Sequence, residues 1–121
     1  MERKVLILTN DNVFFLLIET FVESRSDQVN CVKLTSYSDL HHIEHDTVSL
    51  IIIDGKMTDI SPIELCYLIR YEQNLKMAVW LFTEIKNPKY INKAFDVGIT
   101  KVLEKPFDPK KIAIEILEAI I

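Results

Sequence analysis

Leu50-Ile51-Ile52-Ile53 is an unbroken apolar run that ends on the carboxylate of Asp54 and on Gly55. A run this short and this rich in isoleucine predicts a strand buried on both faces, as in a parallel sheet covered by helices on each side. In open sheets of that kind the crevice beyond the carboxyl ends of the strands carries the chemistry, so Asp54 is the first candidate for a reacting group. Asp-Gly is also a common turn pair, so the rest of the chain has to decide between a turn and a site.

The same grammar repeats on either side. Lys4 to Leu8 is a first buried strand, closed by the polar stretch Thr9-Asn10-Asp11-Asn12. Asn12 or Asp11 can cap a helix with Phe14, Leu17, Ile18, Phe21 and Val22 at helical spacing. Val29 to Leu34 predicts a second strand, and Tyr37 to Glu44 a short helix with Leu40 and Ile43 turned inward. After Asp54, a loop through Lys56, Met57, Thr58 and Asp59 reaches Ser61-Pro62, an N-cap followed by a first-turn proline. That third helix carries Ile63, Leu65, Leu68 and Ile69; Met77 to Phe82 is a fourth strand, followed by Thr83-Glu84. Asn87-Pro88 opens a fourth helix that stops at Gly98, Thr100 to Leu103 is a short fifth strand, and Asp108-Pro109 starts a last helix. Five strands alternating with five helices predict an α/β fold with a doubly wound, five-stranded parallel sheet, in one domain over residues 1–121.

Composition narrows the function. A net charge of -4 argues against a general grip on nucleic acid, which needs a basic face against the phosphates. Only two glycines, Gly55 and Gly98, occur in the chain, so the glycine-rich phosphate loops of nucleotide-binding folds are excluded, and with them most of the case for a hydrolase or flavin protein. Cys31 and Cys66 have neither the spacing of a zinc site nor that of a redox pair. With no leader-like start and no apolar run near 18 residues, the chain reads as cytoplasmic, without a membrane partner.

Right-handed crossovers bring the carboxyl ends of parallel strands to one edge of the sheet. Asp54, Thr83 and Lys105 stand at three such ends, with Asn10 and Asp11 at the end of the first. A carboxylate can attack phosphorus and carry the group as an acyl phosphate. A hard cation, an ammonium and a hydroxyl donor would then balance the charge that forms.

Over its whole length the sequence resembles the receiver domain of two-component response regulators. The resemblance is carried by K-V-L-I-L ending in polar residues, L-I-I-I-D with Met57 three residues on, L-F-T, Gly98 and K-P-F at Lys105-Pro106-Phe107. It implies the flavodoxin-like strand order 2-1-3-4-5. It implies a signalling domain rather than an enzyme, in which Asp54 accepts a phosphoryl group from a sensor histidine kinase or phosphotransfer protein. Lys105 would be the charge partner and Thr83 the hydroxyl that reports the event. Mg2+ would be held by Asp54, Asp11, Asn10 and the backbone carbonyl of Lys56. A homodimer through the last helix, where Ile114, Ile120 and Ile121 widen the apolar stripe, is a further implied partner.

The chain also departs from the family pattern. Receivers end the first strand with two adjacent acids; counted from Lys4 without a gap, those slots fall on Thr9 and Asn10. Only a register shifted by one residue puts Asn10 and Asp11 there. Val102 stands where many receivers have the aromatic ring that moves with the threonine, and Glu84 replaces a small residue beside Thr83. The alternative expectation is therefore a degenerate receiver that works as a phosphorylation-independent interaction module.

Overall fold

A computed structural model describes residues 2–57 and 59–121; Thr58, which the sequence assigns to the loop after the third strand, lies outside them. The strands are β1 (Arg3–Leu8), β2 (Val29–Leu34), β3 (Val48–Asp54), β4 (Ala78–Thr83) and β5 (Lys101–Glu104). They form one parallel sheet in the order β2-β1-β3-β4-β5, the flavodoxin-like order expected. The helices are α1 (Asn12–Glu23), α2 (Pro62–Tyr67), α3 (Pro88–Asp96) and α4 (Pro109–Ile120).

Two expected helices differ in form. Between β2 and β3 the chain makes 3-10 turns, Tyr37–His42 and His45–Thr47, in place of an α-helix over residues 37–44. Only Leu40 is fully buried in them, so one anchor under a short crossover suffices and there is no apolar stripe for a longer α-helix to bury. The third helix continues past Tyr67 as a π-helical turn, Leu68–Glu72, closed by the Gln73 amide on the Leu68 carbonyl at 3.0 Å. Arg70 in that turn fastens the lower end of the sheet. Its guanidinium donates to the carbonyls of Leu75 (2.9 Å), Met77 (2.7 Å) and Gly98 (2.8 Å).

Alternation along the strands divides the core into two layers. Leu6, Leu8, Ile51, Ile53, Val79 and Leu81 face the layer of Leu40, Leu65, Ile69 and Ala94, contributed by the 3-10 turn, α2 with its π-helical turn, and α3. Val5, Ile7, Leu50, Ile52, Trp80 and Phe82 face Phe14, Ile18, Val22, Ile112, Ala113 and Ile116 of α1 and α4. The central residues Ile51, Ile52 and Ile53 are wholly buried, as the uninterrupted apolar run requires. The stripe of α1 is narrower than its sequence suggests: Leu17 remains partly exposed, whereas Phe14, Ile18 and Val22 close the core. On α4, Ile120 is buried while Ile114 and Ile121 are exposed.

Local signals fix where the helices begin and end. Asp11 caps α1, accepting the amides of Val13 (2.9 Å) and Phe14 (3.2 Å) on Oδ1. Ser61, Asn87 and Asp108 cap α2, α3 and α4, each followed by proline at the first helical position. Gly98 ends α3 at φ 111°, a region that L side chains avoid, and a Cβ there would lie 2.7 Å from Arg70 Nε.

Candidate functional site

Three residues distant in sequence meet at the carboxyl edge of the sheet: Thr9 just beyond β1, Asp54 at the end of β3 and Lys105 just beyond β5. Each continues the alternation that faces α1 and α4, following Ile7, Ile52 and Leu103 respectively. Asp54 is 1% exposed, yet neither carboxylate oxygen lacks a donor. The Lys105 ammonium forms a short hydrogen-bonded ion pair with Oδ1, and the Lys56 amide donates to the same oxygen at 3.0 Å. Thr9, itself wholly buried, donates its hydroxyl to Oδ2 at 2.6 Å. Burial pushes the Asp54 carboxyl up; the Lys105 ammonium, the Thr9 hydroxyl and the Lys56 amide outweigh it and hold the group below the ordinary aspartate value.

The ammonium is confined from below as well. Lys105 Nζ lies 4.4 Å from the centroid of the Phe14 ring, a cation–π distance. Phe14, Phe82 and Phe107 pack edge to face at centroid separations of 5.1 to 5.6 Å. The Asp54-Gly55 turn is equally tight. The Gly55 amide donates to Phe82 O at 2.7 Å, and a Cβ at Gly55 would come within 2.6 Å of that oxygen, so glycine is required by the approach of β4.

Thr83 is buried at the end of β4, but alternation places it with Val79 and Leu81, on the layer opposite to Asp54. Its Oγ1 accepts the Ile85 amide at 3.0 Å. Together with Gly55, Lys56, Glu84 and Lys105 it lines a cavity of about 190 Å³ beside the Asp54 turn. Lys56 and Glu84 form an exposed ion pair at 3.1 Å on the rim of that cavity. The negative charge of Glu84 is thus partly balanced by a lysine two residues beyond Asp54.

Of the residues expected to gather here, Asp54 and Lys105 are in contact and Thr83 is adjacent. Thr9 is the first residue beyond β1 to meet Asp54, while Asp11 lines a neighbouring cavity with Lys56, Glu84 and Lys105. Asn10 is exposed, and Asp11 spends its Oδ1 on the cap of α1. Thr9 is the functional contact that sequence reasoning treated only as a missing acid; its small hydroxyl side chain in an otherwise apolar strand end was the available signal.

The donor set can be weighed for Mg2+, which takes oxygen ligands in near-octahedral geometry and needs at least one or two carboxylates free to bind it. Asp54 already spends Oδ1 on an ammonium and an amide, and Oδ2 on the Thr9 hydroxyl. No buried side-chain nitrogen or oxygen among the described residues is left without a hydrogen-bond partner. Nor, among the described residues, do three or more His, Cys, Asp or Glu side chains gather to hold a metal. A cation at this edge would have to compete with the protein donors that already hold Asp54.

A five-stranded parallel sheet of this order, with a buried aspartate and a lysine paired at its carboxyl edge, defines a receiver-like signalling domain. The family model of the response regulator receiver domain matches residues 5–117, and the chain belongs to that family of two-component signalling proteins. Members of the family typically bind Mg2+.

A transcriptional regulatory protein of Helicobacter pylori, CrdR, is 21% identical over 108 residues, which is 89% of this chain and 50% of that protein. The chain therefore spans about half the length of this curated relative. Among solved structures it is similar to the chemotaxis response regulator CheY4 of Vibrio cholerae, with a TM-score of 0.82 and 18% identity over the whole of both chains. It is also similar to the signal receiver domain of a putative Luxo repressor protein from Vibrio parahaemolyticus, with a TM-score of 0.83, 18% identity and coverage of 99% and 91%. At these identities the structural likeness establishes the fold. No helix among the described residues is long and apolar enough to cross a membrane.

Proposed function

We propose that this receiver domain works as an interaction module in a two-component pathway, in which Asp54 is a fixed charged strut and not a Mg2+-dependent phosphoryl acceptor. The observation that carries this reading is the Thr9 hydroxyl 2.6 Å from Asp54 Oδ2. It puts a hydrogen-bond donor on the oxygen that would have to meet a cation or a phosphorus atom, in a place where the family has acids. A nucleophilic carboxylate must be free on at least one oxygen, and the dianionic phosphoryl donor it approaches must be neutralised. Among the described residues Lys105 is the one cation in contact with Asp54, and it is already committed to Oδ1.

The module acts in the cytoplasm, with a protein rather than nucleic acid as its direct partner; the net charge of -4 supports the latter. A partner can be a second copy through α4, where Ile114 is 42% exposed. The test is incubation with acetyl phosphate and Mg2+ followed by intact mass. The expected mass is unchanged. Gain of one phosphoryl group, absent in Asp54→Asn, overturns the proposal.

A second reading rests on the 190 Å³ cavity that Thr83 and Lys105 share beside Asp54. In it, an Asp54 oxygen attacks the phosphorus of a phosphohistidine on a sensor kinase or phosphotransfer protein. The P–N bond breaks, the imidazole nitrogen keeps the electron pair and takes up a proton, and an acyl phosphate remains on Asp54. Thr9 must first release Oδ2. A positive result in the same mass measurement selects this reading.

A further inference from the structure

The contacts around Asp54 are distributed unevenly between the two layers of the fold. Thr9, Asp54 and Lys105 continue the face that packs on α1 and α4. Val102 packs on the opposite layer, where it offers an aliphatic side chain with no ring to swing, and Thr83 at the end of β4 lines the cavity beside the Asp54 turn.

From each oxygen of Asp54 a short path runs to the first turn of α1. From Oδ2 it passes through Thr9, whose Oγ1 donates to the carboxylate and accepts the Asp11 amide at 3.0 Å. Asp11 in turn caps the Val13 and Phe14 amides, so one hydroxyl joins the buried anion to the start of the helix. From Oδ1 it passes through the Lys105 ammonium, which lies over the Phe14 ring. The first path ends on the Val13 and Phe14 amides, and the second on the Phe14 ring. Thr83 Oγ1, among the described residues, holds its own turn through the Ile85 amide.

We infer that Thr9 is a positioning residue that couples the charge of Asp54 to the first turn of α1, so that a change at Asp54 is reported there and not at the turn after β4. A threonine suits this task because its hydroxyl donates and accepts at once, whereas an ionised acid in the same slot could only accept. A carboxylate at Oδ2 orients the hydroxyl proton toward itself and leaves a lone pair for the Asp11 amide. When the negative charge is removed, the hydroxyl is freed to reorient, the Asp11 amide loses the lone pair held toward it, and the cap that Asp11 makes on Val13 and Phe14 loosens. The inference holds for any event that changes the charge of Asp54, so it stands apart from the reading that phosphorylation does not occur.

The test uses Asp54→Asn, a neutral side chain of the same shape, and residue-resolved amide hydrogen exchange by NMR on the whole chain. Expected is roughly tenfold faster exchange at Val13 and Phe14, the scale of one lost hydrogen bond to a charged group, with little change at Ile85. In a Thr9→Val background the added effect of Asp54→Asn on Val13 and Phe14 should vanish, and Thr9→Ser should restore it. A merely structural threonine would not show that rescue pattern. An equal α1 response with and without the hydroxyl overturns the inference, as does a response centred on Thr83 to Ile85. If Thr9→Val fails to fold, Thr9→Ala takes its place in the same comparison: loss of the Asp54→Asn effect on Val13 and Phe14 supports the inference, and its persistence overturns it. Phosphorylation by acetyl phosphate would overturn the proposed function while leaving this outcome untouched.

Discussion

Thr9 Oγ1 and Asp54 Oδ2, from residues 45 positions apart in the chain, are 2.6 Å apart inside the protein, with both side chains almost wholly excluded from solvent. This hydrogen bond closes the side of Asp54 that Lys105 does not cover. Replacing Thr9 by valine keeps the shape but strands the carboxylate oxygen and the Asp11 amide. The expected cost is about 2 kcal/mol in urea unfolding, with serine losing much less.

The Asp54–Lys105 pair should behave as a unit. Lys105→Met leaves a buried anion without its cation and should destabilise the fold by about 3 kcal/mol. Asp54→Asn in the same chain removes that anion, so the double variant should be more stable than Lys105→Met alone. A double-mutant cycle in denaturant measures the coupling.

Acid sensitivity follows from the same carboxyl. Its folded-state pKa lies below the unfolded value near 4, because the donors outweigh the burial penalty. Such a group contributes stability that is fully present above about pH 4 and is lost as pH falls through the lower folded value. Wild type should therefore lose stability below pH 4 more steeply than Asp54→Asn, as followed by thermal melts from pH 6 to pH 2.

Burial pushes the Cys31 thiol up to about 12 and the Cys66 thiol up to about 11, well above any physiological pH. Only thiolate reacts with alkylating agents. Neither cysteine should be modified by iodoacetamide at pH 8 in the folded protein, while both should react in urea, as read by mass.

Arg70 fixes the opposite end of the sheet through three backbone carbonyls. Arg70→Met should leave those acceptors unpaired and cost about 3 kcal/mol. Gly98→Ala, which combines a positive φ with a Cβ against that arginine, should be destabilising as well, and both effects are checked by unfolding midpoints.

The linear chain determined the elements whose signals are local. The apolar runs marked five strands, Asp11 or Asn12, Ser61, Asn87 and Asp108 marked helix starts, and Gly98 marked a helix end, because burial on both faces and capping leave their pattern within a few residues. Asp54 and Lys105 were legible as partners, since a parallel sheet must gather its strand ends.

The tertiary structure alone decided which neighbours touch. Whether Thr9 or Asn10 and Asp11 met Asp54 depended on the pairing of β1 with β3. A shift of one residue sends a side chain to the other face, so the choice is made by strand pairing and not by local propensity. Thr83 shared the strand-end pattern of Asp54, yet its hydroxyl accepts the Ile85 amide of its own turn and makes no bond to Asp54 among the described residues. The 3-10 turns and the π-helical turn were equally hidden, because their form follows from what they pack on and fasten, and not from the propensities of their own residues.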